Sequence, residues 1–172
     1  MTPHDTDQHR PLRDAVHAAA AIPAVRQAVE TIYAELATQI DARRPRCVAS
    51  GRCCRFEEYG HRLYVTTAEL AAFLPQYQAM TPPAPLAQAI QTWDGAGCPF
   101  QVNKLCGVHA LRPFGCRIYF CDPTSTAWQH EAYEQFHARL KRIHEDHAVP
   151  YFYLEWRAAL RALLPVDPQP SL

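Results

Sequence analysis

Seven cysteines constrain this chain of 172 residues more than any other feature of its sequence. They form two clusters that lie far apart in the chain, one with Cys47, Cys53 and Cys54 and the other with Cys98, Cys106, Cys116 and Cys121. An odd number of cysteines cannot all pair in disulfide bonds. Residues 1–14 lack the basic start and apolar middle of an export signal, so we expect a cytoplasmic protein whose surroundings reduce most disulfides. Metal binding, catalysis and simple burial are the remaining roles for these cysteines.

The charge balance excludes several classes of partner. The 17 Lys and Arg residues are matched by 17 Asp and Glu residues, so the formal net charge is zero. Such a chain has no overall field that attracts nucleic acid or an anionic membrane surface. No segment approaches the roughly 20 consecutive apolar residues that a membrane-spanning helix requires. We therefore expect a soluble protein without a membrane segment, and no sequence feature indicates a nucleic-acid partner or identifies a protein partner.

Hydrophobic periodicity predicts helices on both sides of the cysteine clusters. Apolar residues at three- and four-residue steps predict a helix over residues 23–44, directly before the first cluster. Residues 63–65 favour a short strand, and residues 86–93 favour a short helix. A long helix is predicted over residues 125–147, and a last helix is predicted to begin near Tyr151.

The middle of the chain contains clear start and stop signals. Thr66, followed three residues later by Glu69, is typical of a capping box that begins a helix. That helix is predicted to end at Leu74, because the ring of Pro75 removes a backbone donor and clashes with the preceding turn. Further along, Asn103-Lys104 separates two short extended pieces and predicts a tight hairpin within the second cluster.

These elements predict an α+β fold that is mainly α, with helices packed around an irregular, cysteine-rich metal-binding core that contains a short hairpin. Residues 1–22 are expected to form a flexible leader. Residues 23–165 are expected to form a single cysteine-cluster domain, and residues 166–172 a tail. A chain of this length is long enough to bury a sizeable core without cross-links.

Turn residues around the cysteines favour metal binding, because several thiolates must converge on one centre. The turns are supplied by Gly51, Pro99, Gly107, Pro113 and Gly115. Each cluster alone is too sparse for a complete two-pair zinc knuckle, so we expect one site that forms across the fold. The alternative for an isolated cysteine is burial as a small apolar residue, and Cys121, which follows an Ile-Tyr-Phe run, fits that alternative.

Other residues near the clusters leave alternatives open. His109 lies three residues after Cys106 and would either complete a site of three cysteines and one histidine or make an ordinary hydrogen bond. The role of His144 is open. A catalytic cysteine is a further alternative, since Cys54 lies near arginines that would favour its thiolate, although no histidine lies beside it in sequence.

The spacing within the clusters is similar to that of a known family. The first cluster, Cys47-x-x-Ser50-x-x-Cys53-Cys54, resembles the signature of the CxxCxxCC family, the YkgJ-type cysteine-cluster proteins. The second cluster resembles the same family through Cys98-Pro99-Phe100, Cys106 and Arg112-Pro113-x-x-Cys116-Arg117. The resemblance covers residues 30–164 and implies a domain that chelates zinc or iron. Ser50 departs from the signature, so that ligand is dispensable here or Cys121 supplies the missing thiolate.

The resemblance leaves two kinds of function. A related bacterial flagellin lysine methylase implies an iron–sulfur cluster that serves redox or methyl-transfer chemistry, whereas the alternative is a non-enzymatic zinc module for structure or metal handling. We favour an iron–sulfur cluster such as [4Fe–4S], because adjacent cysteines usually point in different directions and a cluster with several metal vertices accommodates both. All seven cysteines are candidate ligands.

Arginines near the cysteines are candidates for binding this anionic cofactor. Four thiolates around zinc or an oxidised [4Fe–4S] core leave a net charge of about −2. Arg52, Arg55, Arg112 and Arg117 lie near the clusters. Arg55 and Arg117 each follow a cysteine directly, so we predict that these two chiefly offset the charge of the metal–thiolate centre.

Overall fold

The computed structural model describes residues 8–164, which form a mainly helical fold with two small antiparallel sheets. The helices are α1 (Arg10–Ala20), α2 (Pro23–Arg43), α3 (Phe56–Tyr59), α4 (Thr67–Ala79), α5 (Ala84–Gln91), α6 (Phe114–Ile118), α7 (Thr126–Asp146) and α8 (Trp156–Leu163). The strands are β1 (Tyr64–Thr66), β2 (Gln101–Val102), β3 (Leu105–Cys106) and β4 (Tyr153–Glu155). The expected α+β class with mainly helical content is confirmed, while the metal-binding role of the core stays a prediction.

The helix α1 belongs to the packed fold. Its stripe of Leu12, Ala15, Val16 and Ala19 is buried, and the helix packs chiefly against α4. The prediction of a flexible leader over residues 1–22 is therefore wrong for α1, because its three- and four-residue apolar spacing gives the helix a core-facing side. Residues 1–7 and the predicted tail, 166–172, lie outside the described residues.

The two longest helices, α2 and α7, pack against α4 and against each other, and both match their predicted ranges closely. Their contact buries Leu36 of α2 with Phe136 and Leu140 of α7. At the surface, Arg139 of α7 makes a two-pronged ion pair with Glu35 of α2. Within residues 8–164, no helix combines the length and the apolar character needed to cross a membrane.

The capping box at the start of α4 is confirmed, but the predicted end of this helix is wrong. Thr66 Oγ1 accepts from Glu69 N, and Glu69 Oε2 accepts from Thr66 N at 2.8 Å. The helix passes through Pro75 and continues to Ala79. An internal proline costs about 3 kcal/mol in a helix. Packing of the turns beside it, with Phe73 buried and stacked on Tyr77, offsets that cost.

One small sheet pairs strands that are far apart in sequence, and the other is a local hairpin. Strand β1 pairs with β4, placing Val65 opposite Leu154, and this second strand is absent from the sequence prediction, which began a helix near Tyr151 instead. Strands β2 and β3 form the predicted hairpin. Its turn residues Asn103 and Lys104 have φ values of 51° and 66°, the left-handed pair that a tight two-residue hairpin requires.

An aromatic core lies beneath the hairpin. Phe73 of α4 contacts Trp156 of α8 with ring centroids 5.1 Å apart, and Phe100 lies 6.0 Å from the same tryptophan. All three side chains are buried, as is Phe56 of α3. This packing anchors the hairpin and the short turns around the first cysteine cluster onto the helical body.

Candidate metal centre

All seven cysteines line one cavity of about 150 Å³. Three segments supply them: the loop and turn after α2, the β2–β3 hairpin with the residues before it, and α6 with the residues after it. Buried aromatic side chains close the cavity on the inside, namely Phe56, Phe100 and Trp156. The fold thereby brings together both cysteine clusters, which the sequence places far apart.

Backbone hydrogen bonds hold the first cluster against the second. Cys98 N donates to Cys54 O at 2.8 Å, and the side chain of Gln101 donates to Gly51 O at 2.8 Å. Gly51 has a φ of 72°, and a Cβ at this position would lie 3.0 Å from the backbone oxygen of Lys104 in the hairpin turn. Glycine is therefore required here both for the left-handed backbone and for the close approach of the hairpin.

A second set of hydrogen bonds, centred on Asp122, holds the outer side of the cavity. Arg46 N, next to the first cysteine, donates to Asp122 Oδ2 at 3.0 Å. Asp122 also accepts from Thr124 N at 3.0 Å and from the Ser125 hydroxyl at 2.9 Å. These bonds, with the Arg46 N–H foremost, hold the pKa of the Asp122 carboxyl well below its usual value. The charged form of Asp122 therefore fixes the loop before Cys47 beside the residues that follow α6.

The adjacent cysteines at the end of the first cluster interact with each other and with the second cluster. Their sulfur atoms, Cys53 Sγ and Cys54 Sγ, lie 4.0 Å apart. This contact and burial raise the pKa of the Cys53 thiol far above its usual value. For Cys54 the same contact lowers the pKa, but a hydrogen bond with Cys98, burial and the neighbouring charge of Cys106 together raise it to about 12.

Cys106 and Cys116 complete an interacting set of five inner thiols. Burial raises the pKa of both side chains, and the charge of Arg112 opposes the rise in each. Cys116 additionally feels the charges of Cys54, Cys106 and Cys53. Burial and the neighbouring groups together favour the protonated thiol form of Cys53, Cys54, Cys106 and Cys116.

The two remaining cysteines lie at the outer side of the cavity. Cys47 is exposed, whereas Cys121 is half-buried with its Sγ 4.0 Å from Ser50 Oγ. The position that departs from the family signature thus lies against the seventh cysteine. In residues 8–164 no three His, Cys, Asp or Glu side chains are grouped tightly enough for a single metal ion. The cysteines therefore share a cavity without a ready-made mononuclear site among the described residues.

Arg55 does not line the cavity, although it is hydrogen-bonded to Ser50 in the cavity wall. Its guanidinium donates to Glu58 Oε2 at 2.7 Å, to Ser50 O at 3.2 Å and to the Tyr59 hydroxyl at 3.2 Å. It also lies over the Tyr59 ring, 5.0 Å from the ring centre. The cofactor-binding role that its position in the sequence indicates stays a prediction.

Arg117 lines a different cavity from the inner thiols. Its Nε donates to Arg112 O and its Nη2 donates to Ala110 O, each at a distance of 2.6 Å. Its guanidinium carbon lies 4.2 Å from the centre of the Tyr33 ring. Burial lowers the pKa of this arginine, and the charges of Tyr33, Cys116 and Glu69 oppose the change. Its predicted role toward the cofactor likewise stays a prediction.

The histidines divide between the cavity and the helical body. His109 lines the cavity. His144 is buried elsewhere, where its Nε2 accepts from Ala68 N at 3.5 Å and its Nδ1 lies 3.2 Å from Val149 O. Burial lowers the pKa of the His144 ring. His144 therefore caps the start of α4 in its neutral form, which is a structural role.

Two residues near the thiols carried no signal in the sequence. Tyr119 lines the cavity, and its ring stacks on His61 with centroids 4.8 Å apart. His61 Nε2 lies 3.4 Å from Cys53 O, and its buried Nδ1 has no hydrogen-bond partner among residues 8–164. His61 lies outside both cysteine clusters, so only the fold places it beside the first one.

Comparison with family models, with curated proteins and with solved structures finds no match to this chain. The resemblance to the YkgJ-type family therefore stays a prediction from the cysteine spacing. What is known of the site comes from its own geometry.

Proposed function

We propose that this chain is a metal-binding protein that holds an iron–sulfur cluster through cysteines from its two clusters. One observation carries the proposal: all seven cysteines line a single cavity. Thiolate sulfur is the common ligand of iron–sulfur clusters and of structural zinc. The cysteines therefore fit both a zinc ion and an iron–sulfur cluster, and the size of the cavity favours the cluster.

The volume of the cavity supports a cofactor of several atoms. At about 150 Å³ it offers roughly ten times the space that one water molecule requires. Four thiolates around one zinc ion lie at about 2.3 Å from the metal and leave little free space. A cluster with several metal vertices spreads its ligands more widely and suits thiols that come from three chain segments.

The chain's own residues would supply ligands and a dry environment. The inner thiols must lose their protons to bind, since the thiolate is the ligand form. Phe56, Phe100 and Trp156 close the inner wall and exclude water from that side. An iron–sulfur cluster bound there would supply one-electron redox chemistry, which also serves methyl-transfer enzymes.

A non-enzymatic zinc module is the second candidate, and one distance favours it. Two thiolates on the same tetrahedral zinc are about 3.8 Å apart, as follows from the usual zinc–sulfur bond length. Cys53 Sγ and Cys54 Sγ lie 4.0 Å apart, close to that separation. Metal analysis of one protein preparation distinguishes the iron–sulfur cluster from the zinc module.

The test is anaerobic purification followed by metal and sulfide analysis and absorption near 400 nm. We expect stoichiometric iron and sulfide with visible absorption, whereas the zinc alternative gives zinc, no sulfide and no colour.

Cys98→Ser, Cys106→Ser and Cys116→Ser should each lose metal, while Ser50→Cys should be tolerated. Ser50→Ala changes the same cavity wall without removing a thiol and serves as the matched control.

Removal of the metal should also loosen the fold, because the ligands tie separate segments together. Thermal unfolding with and without metal measures this effect. Full metal content in two of the three cysteine variants would remove the second cluster from the site. Freshly isolated anaerobic protein without any metal would overturn the proposal itself.

A further inference from the structure

We infer that Arg112 is the cation that offsets the thiolate charge of the proposed metal centre, in preference to Arg55 and Arg117. The inference rests on the proposed function and adds to it the residue that makes the cavity favourable for an anionic group. Two cationic side chains line the cavity with the cysteines, Arg112 and Lys104, whereas Arg55 and Arg117 do not. Lys104 is exposed, while Arg112 is half-buried and is held by two hydrogen bonds.

The guanidinium of Arg112 is fixed in place and keeps free donors. Its Nε donates to His109 O at 3.1 Å, and its Nη1 donates to Cys116 O at 3.3 Å. A guanidinium has five N–H donors, so three remain beyond these two bonds. Sulfur that carries negative charge on a bound metal is an acceptor for such donors.

Arg112 is held by two residues that themselves line the cavity. His109, the acceptor of its Nε, lies in the turn after the hairpin, and Cys116, the acceptor of its Nη1, lies in α6. The guanidinium is therefore tied to the backbone of a candidate ligand at the cavity wall. A positive charge fixed there stabilises a metal-bound state in which the cysteines are thiolates.

The other two arginines are matched controls that the chain itself supplies. Arg55 is paired with Glu58 and lies over Tyr59, and Arg117 lies over Tyr33. Both directly follow a cysteine in sequence, yet neither lines the cavity. If proximity in sequence decided the role, either would serve as well as Arg112.

The experiment compares Arg112→Gln and Arg112→Lys with Arg55→Gln and Arg117→Gln in the full chain, prepared anaerobically. Competition with a metal chelator measures retention of the metal in each variant. We expect Arg112→Gln to weaken retention by roughly 10- to 100-fold, the loss typical when a partner of a metal ligand is removed. Arg112→Lys should restore much of it, because it keeps the charge, and both control variants should hold metal as the parent does.

Thermal unfolding of the metal-free forms distinguishes charge compensation from a structural role. We expect metal-free Arg112→Gln to unfold close to the metal-free parent. Retention in Arg112→Gln equal to that of the parent overturns the inference and leaves the proposed function intact. A metal-free Arg112→Gln that is much less stable than the parent, with no rescue by lysine, overturns it in favour of a structural role. A parent without metal overturns the proposed function and this inference together.

Discussion

Two polar sites lie on adjacent faces of the short helix α6, and their hydrogen bonds differ in kind. Cys116 lines the cysteine cavity on one face. Beside the other face lies the Glu69 cluster, which we define as Tyr33, Glu69 and Arg117. Each site contains buried polar groups, and such groups need partners from the protein or from a ligand.

The carboxylate of Glu69 obtains all its partners from the chain. Its Oε2 accepts from Thr66 N at 2.8 Å and from the Thr66 hydroxyl at 3.0 Å. Its Oε1 accepts from Phe114 N at 2.8 Å and from the Tyr33 hydroxyl at 3.3 Å. Four donors from three parts of the chain surround one side chain, which is typical of a site that stabilises the fold.

The inner thiols, in contrast, have mainly one another as neighbours. The sulfur atoms of Cys53 and Cys54 contact each other, and Cys54 also interacts with Cys98. A thiol is a weak donor and a weak acceptor, so these contacts contribute little to stability. A set of thiols that gains little from its own contacts fits the external ligand that we propose for this cavity. The comparison thus separates a polar site that the chain satisfies by itself from a set of thiols whose proposed partner is a metal centre.

The largest expected effect that tests this comparison comes from Glu69→Gln. An amide cannot accept all four hydrogen bonds, and leaving buried donors unsatisfied costs about 1–3 kcal/mol. We expect the free energy of unfolding to fall by about this amount in the metal-free protein, as measured by urea denaturation under reducing conditions. Metal content should not change. Cys116→Ser is the control and should show the opposite pattern, with metal lost and metal-free stability nearly kept.

A result in which Glu69→Gln loses metal at unchanged stability would contradict this separation of roles. The two faces of α6 would then act as one site.

A smaller effect concerns pH. Burial raises the pKa of the Glu69 carboxyl, although hydrogen bonds from Thr66 and Phe114 oppose the rise. The folded state therefore binds this proton more tightly than the unfolded state, in which the pKa is about 4.3. The stability that this provides is complete below the unfolded pKa and is lost as pH rises through the folded pKa.

The stability advantage of the parent over Glu69→Gln should consequently shrink as pH rises above about 4.3, the unfolded pKa. Denaturation of both proteins across this range, metal-free and at constant ionic strength, measures the difference. Taking the difference cancels carboxyls elsewhere, such as Glu57, whose pKa is lowered by the Gly97 N–H and other groups. An advantage that grows with pH would show that the carboxylate, rather than its protonated form, is the favoured state.

The smallest expected effect comes from Tyr33→Phe. This change removes the hydroxyl that donates to Glu69 but keeps the ring beneath Arg117. The loss of one hydrogen bond should lower the free energy of unfolding by about 0.5–1.5 kcal/mol. Tyr59→Phe, at the arginine pair with Arg55, is the control and should change stability less. Equal losses in both variants would mean that the Glu69 cluster contributes no more than an ordinary surface contact.

Local signals in the sequence predicted the local structure. The capping box at Thr66 and the hairpin turn at Asn103-Lys104 depend on neighbouring residues alone, and both are confirmed. The predictions fail where distant packing outweighs a local preference. Pro75 remains within α4 because the turns around it are buried, and α1 is part of the fold because α4 covers its apolar side.

Strand β4 had no local signal. It exists because β1, far away in sequence, supplies its hydrogen-bonding partner, so the pairing is decided only when the chain folds.

The sequence by itself determined which chemistry is available: an odd set of seven cysteines in two clusters, without a charge imbalance that would indicate another class of partner. Only the tertiary structure decided that the two clusters share a cavity and that Arg112 lines it while Arg55 and Arg117 do not. The physical reason is that the residue type alone decides which ligand atoms are available. A shared site requires those atoms to lie close together in space, which depends on the fold. Side-chain direction, set by the packing of α6 between two buried sites, is invisible in the linear order of residues.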